Sequence, residues 1–290
     1  MKDGHTTIRV SSLGRYSDCA RRWFAGIAPD EIKRAGFSIR DDSRNIAPAI
    51  GTAVHKSAEL VLREKAKDGK LPPVTVATDI AVETLREDIR QGIAYDTQYS
   101  LNADDSMRQA AGMAAAYHGH IAPKIEPLMI EERLEAEVTW AVEPMILSGQ
   151  PDVVAQEPGQ LRDLKTAVRY GNHNAQAGGY ALLLRSNGIE GINKASIDWM
   201  PRVRSSKPQP APQEKAVPLA IAETAAPNIL RHIDQDLHVW RHGDAQRGLL
   251  PGDPAAFVSN SSSNLCSARY CRCHSAGPNG FCLDWIKEEE

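Results

Sequence analysis

Two aspartates and a lysine in the middle of the chain are of the right types and spacing for hydrolytic chemistry. Asp152 lies in Ser148-Gly149-Gln150-Pro151-Asp152-Val153-Val154, and Asp163 and Lys165 lie in Leu161-Arg162-Asp163-Leu164-Lys165-Thr166. Residues two apart on a strand share a side, so Asp163 and Lys165 point together. Asp152 follows Gly149 and Pro151, where a bend lets it converge on the same place. Carboxylate oxygens suit Mg2+ or Mn2+, and an ammonium beside a bound water can orient it or stabilise charge developing on phosphorus. That is the chemistry of phosphodiester hydrolysis. Taken alone the D-x-K pattern is weak, because it occurs by chance and strand charges are usually solvated.

The cysteines are the second group with chemistry. Cys19 stands near one end, Cys266, Cys271, Cys273 and Cys282 stand near the other, and residues 20–265 hold none. A disulfide framework suits a short secreted chain, not 290 residues at 42% hydrophobic with an odd cysteine count and no apolar N-terminal stretch. Zinc could use Cys266-x4-Cys271-x-Cys273-His274, but that leaves Cys19 unused and lacks paired CxxC spacing. An iron–sulfur cluster needs four thiolates and tolerates ligands from distant segments, so it employs Cys19 with three of the late cysteines. Ligand type alone does not separate these metals, and the cluster is the favoured reading.

Elements must position these groups. Leu13, Tyr16, Ala20, Trp23 and Phe24 recur at helical spacing after a capping serine, which predicts a helix over 11–24 carrying Cys19. A helix over 50–67 places His55 and Glu59 on one face. Further amphipathic helices are predicted over 75–98 and 105–120. Alternation then predicts strands over 134–142, 145–155 and 160–167, with turns at Glu143-Pro144 and Glu157-Pro158-Gly159, as an antiparallel meander. A helix over 174–187, a strand over 195–200 and a long helix over 220–246 follow. Residues 202–218, rich in Ser, Pro, Gln and Lys, read as a flexible loop. His232, His238 and His242 on the last helix are assigned no role, since they lack a partner motif such as HExxH.

Composition excludes several classes. A net charge of −3 means that any nucleic-acid contact must be local; Arg21, Arg22, Arg169, Lys194, Arg202, Arg204 and Lys207 are candidates for phosphate. No apolar run is long enough to span a membrane, so a soluble, cytoplasmic protein is expected. There is no Walker loop and no GxGxxG.

In their order along the chain these motifs resemble the RecB-like branch of the PD-(D/E)XK nuclease superfamily, which includes Cas4-type, AddB-type and phage recombination exonucleases. Ser12-Leu13 through Cys19-Ala20-Arg21-Arg22-Trp23-Phe24 is similar to the family's N-terminal cluster segment. Gly51-Thr52-Ala53-Val54-His55 resembles its G-x-x-x-H helix. Asp152 and the run Asp163-Leu164-Lys165-Thr166 resemble its second and third motifs, Gln176-x3-Tyr180 its Q-x-x-x-Y helix, and Asn264-Leu265-Cys266 through Cys271 its C-terminal cluster segment.

The resemblance implies a restriction-endonuclease-like α/β fold with an αβββαβ mixed-sheet core flanked by helices. It implies one domain over 1–290, with 1–25 and 260–285 clasped by a 4Fe-4S cluster. It implies that His55, Asp152, Asp163 and the carbonyl of Leu164 bind Mg2+ or Mn2+ and that Lys165 positions water. Gln176 and Tyr180 either support the site, touch DNA or simply pack a helix. The implied cluster ligands are Cys19, Cys266, Cys271 and Cys282, with Cys273 as a spare that could replace Cys271 or Cys282; the spacing after Cys271 departs from the family pattern. The expected activity is a DNA exonuclease of bacterial or phage recombination and repair, working on linear single- or double-stranded DNA. A single-strand annealing protein or recombinase is the expected protein partner, and a homo-oligomer is a further expectation. A Cas4-like trimming nuclease and a catalytically silent cluster-bearing subunit are the alternatives.

Overall fold

Period-two apolar patterning in the middle of the chain builds a sheet, and helices before and after it cover the two faces. The computed structural model describes residues 5–41, 44–95, 98–156, 159–268, 270–274 and 276–282. In chain order the elements are β1 (Thr6–Arg9), α1 (Leu13–Asp18), α2 (Ala20–Ile27), α3 (Pro29–Arg34), α4 (Ile46–Asp68), α5 (Val74–Arg90), α6 (Ala103–His120), β2 (Pro127–Ile130) and β3 (Leu134–Glu137). There follow β4 (Met145–Gly149), β5 (Val153–Ala155), β6 (Gln160–Ala167), α7 (Asn174–Ser186), β7 (Lys194–Pro201), β8 (Gln213–Val217) and α8 (Leu219–His242).

The main sheet has the order β2-β5-β6-β7-β8. Its neighbours are antiparallel except β6 and β7, which run parallel and are joined by the crossover through α7. A smaller sheet, β1-β4-β3, pairs β1 parallel and β3 antiparallel to β4. The architecture is therefore mixed α/β, with mixed sheets and flanking helices.

Side-chain alternation splits the core in two. Val153, Ala155, Leu164 and Met200 meet Ile50, Val54, Leu62, Leu85 and Met113 from α4, α5 and α6. Val154, Leu161, Ala195 and Ile197 meet Leu183, Leu184, Leu230 and Leu237 from α7 and α8, together with Trp23 and Phe24 of α2. Burying each such aliphatic chain stabilises the fold by about 1.5–3 kcal/mol. Helices α7 and α8 approach so closely that a Cβ at Gly178 would lie 1.8 Å from the carbonyl oxygen of Ala222, so only glycine fits there.

Several boundaries differ from the sequence expectation. The strand expected over 134–142 stops at Glu137, because the Asp234 carboxylate on α8 accepts from the backbone N–H groups of Val142 (3.0 Å) and Glu143 (2.8 Å) and draws that segment away from the ladder. The strand expected over 145–155 is two strands in two sheets, divided at Pro151, which has no N–H to give a ladder. The three strands are thus not one meander. The helix over 11–24 is broken at Cys19, whose extended backbone (φ −159°, ψ 105°) separates α1 from α2. Ser12 stands at the start of α1 but makes no side-chain cap; its hydroxyl donates to the Arg9 carbonyl and accepts from the Trp23 indole. Residues 202–218 are not loop throughout, since β8 pairs antiparallel with β7. Helix α5 ends at Arg90, and α8 ends at His242 before Gly243, whose φ of 78° suits a residue without a Cβ. Glu157 and Pro158 of the expected turn, and 283–285 of the expected cluster segment, lie outside the described residues. No helix among the described residues is long and apolar enough to cross a membrane.

Candidate active site

Asp163 and Lys165 leave β6 on the same side, as their spacing predicts, and Lys165 Nζ lies 2.5 Å from Asp163 Oδ2. Asp163 is only 2% exposed. Burial raises its carboxyl to about 6 against the pull of Lys165. Oδ2 is thus held by the ammonium, while Oδ1 accepts a hydrogen bond from the Gln176 side chain at 3.1 Å.

Asp152 reaches the same place by the bend after Gly149. Pairing of β5 with β6 ends at Val153 opposite Arg162. The next N–H of β6 on that side, that of Leu164, donates to Asp152 Oδ2 at 2.6 Å. The other carboxylate oxygen stands 3.2 Å from His55 Nδ1. Burial alone would raise the Asp152 carboxyl, but His55 and Lys165 outweigh it and hold it below the ordinary value. Burial alone would likewise lower His55, yet the Asp152 carboxylate lifts its imidazole to about 10. Glu59, one turn along α4, lines the same small cavity and pairs with Lys56 and Arg63.

Glu131 was missed by sequence reasoning. It follows β2, its backbone N–H donates to the Asp152 carbonyl at 3.1 Å, and its carboxylate lies 3.9 Å from His55 Nδ1. Its φ of 47° makes it the non-glycine residue in the left-handed region among those described. Donor atoms of His55, Glu131 and Asp152 all lie within 4.8 Å of one another. The available signal was the acid directly after the apolar run Leu128-Met129-Ile130, the mirror of Asp152 before Val153-Val154.

Gln176 and Tyr180 of α7 face the site. Gln176 Nε2 lies 3.4 Å from the Tyr180 hydroxyl, and that hydroxyl donates to the Gln150 carbonyl at 3.1 Å. Tyr180 therefore ties α7 to the bend that carries Asp152. Burial, then the charges of Asp163 and Asp152, keeps the phenol protonated. His55, Asp152, Asp163, Lys165, Gln176 and Tyr180 thus come from α4, the β4–β5 bend, β6 and α7 to one region; Leu164 enters it through its N–H on Asp152, and the donor atoms within 4.8 Å of one another are those of His55, Glu131 and Asp152, with Asp163 beside them on Lys165. The carboxylates of Glu131 and Asp152 and the imidazole of His55, their donor atoms within 4.8 Å of one another, form a donor set that fits a divalent cation.

The cysteines also meet. Cys19, Cys266, Cys271, Cys273 and Cys282 line one cavity with Arg21 and Arg22, and none is in a disulfide. Cys19 Sγ accepts from the Arg22 N–H at 3.4 Å, so the thiol caps α2 instead of riding on a helix. A hydrogen bond from Cys273 draws the Cys271 thiol down, and Cys273, buried, is pushed up in return. Cys273 senses Cys19 and Cys282 as well. The two chain segments are bound together by Asn260 on the Asp18 carbonyl (2.9 Å), by Arg40 on the Cys271 carbonyl (2.7 Å) and by stacked Phe24 and Phe257 rings 4.0 Å apart.

The candidate phosphate contacts are mostly committed elsewhere. Arg22 pairs with Asp18, Arg21 donates to the Phe257 carbonyl, Arg202 is buried over the Tyr99 ring and Arg204 donates to the Gln98 carbonyl. Arg169, Lys194 and Lys207 are exposed. A second feature missed in sequence is a buried ion pair across the parallel strands, Arg162 with both oxygens of Asp198 at 3.1 and 2.6 Å.

The family model described as PD-(D/E)XK nuclease superfamily matches residues 7–276. One solved structure similar to the chain, described as a crystal structure of SSO0001, shares 10% identity and covers 70% of this chain and 82% of that chain, with a TM-score of 0.26. No curated protein matches.

Proposed function

The chain belongs to the PD-(D/E)XK nuclease superfamily, and from that premise we propose that it is a metal-dependent DNA exonuclease of the RecB-like, Cas4-like branch, serving recombination and repair of bacterial or phage DNA. The observation that carries this reading is the convergence of Asp152, Asp163, Lys165 and His55 on one buried spot. Asp152 and Asp163, with His55 and the Leu164 carbonyl, would hold Mg2+ or Mn2+, and Glu131 stands close enough to His55 and Asp152 to join them. When bound, such an ion supplies Lewis-acid polarisation of a phosphoryl oxygen and a more acidic water.

The chain's own groups do the rest. Lys165 orients the attacking water and offers positive charge to the phosphoryl oxygens; the water oxygen bonds to phosphorus as its proton passes to solvent, one P–O ester bond breaks, and the departing oxygen takes up a proton from solvent. Gln176 holds Asp163, and Tyr180 holds the Asp152 bend through Gln150. A site with all these groups present has no physical reason to be silent, which argues against a non-catalytic subunit.

We read 1–290 as a single domain. The gathering of five thiols from segments so far apart, none oxidised to a disulfide, supports a 4Fe-4S cluster held by Cys19, Cys266, Cys271 and Cys282. Its role would be structural, fastening the segment around Cys19 to the one around Cys271.

Anaerobically purified protein incubated with end-labelled linear and closed circular DNA, single- and double-stranded, with Mg2+ or Mn2+, tests the activity. Digestion of linear DNA alone, lost in Lys165→Ala, is the expected result. Cutting of circles would replace the exonuclease with a Cas4-like trimming endonuclease. No cutting with either metal would leave the silent subunit.

A further inference from the structure

Apart from the groups around Asp152 and Asp163, a second group of metal-ligand type is assembled between the β3–β4 connection and α8. Glu143 sits in the β3–β4 connection and is almost fully buried, its side chain 6% exposed. Its Oε1 stands 3.0 Å from His238 Nδ1 and 3.1 Å from His242 Nε2. The two histidines are one turn apart on α8, so their rings are neighbours, tilted at 41° with centroids 4.6 Å apart. The three donor atoms all lie within 4.8 Å of one another.

We propose that Glu143, His238 and His242 form a binding site for a transition-metal dication such as Zn2+ or Ni2+, separate from the nuclease centre and structural in effect. Tetrahedral ligands at about 2.0–2.1 Å from a metal stand roughly 3.3 Å apart, so the observed nitrogen–oxygen separations need only a few tenths of an ångström of adjustment. Two imidazoles and one carboxylate are borderline donors that select Zn2+, Ni2+ or Cu2+ over Mg2+. Arg241 holds the other oxygen, Oε2, at 2.6 Å, which leaves Oε1 to bind as a single ligand atom. The Arg241 charge is shared with Glu31 at 3.4 Å, and the same guanidinium donates to the Thr6 hydroxyl. Both imidazoles are about half exposed, leaving room for water to complete the coordination.

Position adds to donor chemistry. His242 is the last residue of α8, where unpaired carbonyls favour a cation. The backbone N–H groups of Val142 and Glu143 already donate to Asp234 of α8. An ion on Glu143 would complete that attachment, fixing the small sheet to the end of the helix whose Trp240 packs edge-on against Phe24. Without an ion the same atoms can be joined by two imidazole N–H groups donating to one oxygen, so the experiment must count metal.

Full-length wild type and His238→Gln/His242→Gln are loaded side by side with Zn2+, desalted and analysed for bound zinc. The cysteine cavity and the nuclease site are intact in both, so their contributions cancel. The expected result is one equivalent fewer in the variant, a zinc-dependent rise in melting temperature seen in wild type alone, and unchanged DNA digestion. His242→Gln alone should weaken that equivalent by more than the roughly 10–100-fold that loss of an outer-sphere partner costs. Equal zinc in all three proteins overturns the site. Should the double variant fail to fold, the single variant decides, since its exposed ring can be changed without opening the core.

Discussion

The carboxylate of Asp152 accepts the backbone N–H of Leu164 at 2.6 Å and so ends the β5–β6 ladder with a side chain instead of a strand. One group thus has two tasks, completing the sheet and presenting a charge to His55. Asp152→Asn separates them, because an amide oxygen still accepts from Leu164 while the charge is gone. The variant should melt within about 1.5 kcal/mol of wild type, the worth of a typical hydrogen bond, and lose at least about a hundredfold in DNA cleavage. Thermal unfolding and end-labelled digestion measure the two tasks; loss of both together would mean that the residue only holds the fold.

Glu131 carries backbone strain beside the same carboxylate. Left-handed backbone at a residue with a Cβ costs on the order of 1–3 kcal/mol and survives where the surroundings enforce it. Glu131→Gly should therefore be as stable as wild type or about 1 kcal/mol more so, and at the same time cleave DNA more slowly and need more Mn2+ for half-maximal rate. A variant that is less stable and fully active would remove Glu131 from the site.

The Tyr16 hydroxyl donates to Asp236 at 2.7 Å, tying α1 to α8. Burial, then the Asp236 carboxylate, raises the phenol well above its ordinary value. A group whose folded pKa exceeds its unfolded one adds stability that is complete below the unfolded pKa, here about 10, and that is lost as pH rises through the folded one. Tyr16→Phe should accordingly cost about 1.5–3 kcal/mol at pH 7–9, and the gap from wild type should narrow in denaturant titrations above about pH 10. A gap independent of pH would assign the loss to packing.

At the cysteine cavity, Cys19→Ala is expected to give colourless protein from a preparation that is brown for wild type, whereas Cys273→Ser should keep its colour. Absorption spectra and iron and sulfide analysis of the two variants check the assignment. Full colour in Cys19→Ala would refute the ligand set, and bleaching in Cys273→Ser would exchange Cys273 for Cys271 or Cys282.

What could be read in the sequence was the part written locally. The side shared by Asp163 and Lys165 follows from a strand period of two, and β6 and α7 lie within a residue of expectation because their patterns are long and their ends carry turn residues. The Arg162–Asp198 pair and the Glu143 group were not legible, and Glu131 offered only its place after an apolar run, with nothing to say what it faces. Each joins elements whose adjacency is fixed by the order of strands in the sheet or by the packing of α8, and no spacing along the chain encodes it. The broken helix at Cys19 belongs with them: its apolar period runs on smoothly, and only the demands of the cavity interrupt it.

Arg21 donates to the carbonyl of Phe257 across 236 residues of chain, and the cysteine cavity joins segments at least as remote. Joining segments so remote costs roughly 5 kcal/mol of chain entropy. On a ribosome adding about 5–20 residues per second, the α1–α2 corner waits tens of seconds for the residues that cover it. During that interval Trp23, Phe24 and the Cys19 thiol have no lid from the late segment. The corner can be covered only after the residues around Phe257 and Cys271 have been made, and in the meantime its state depends on what the cell offers a waiting thiol.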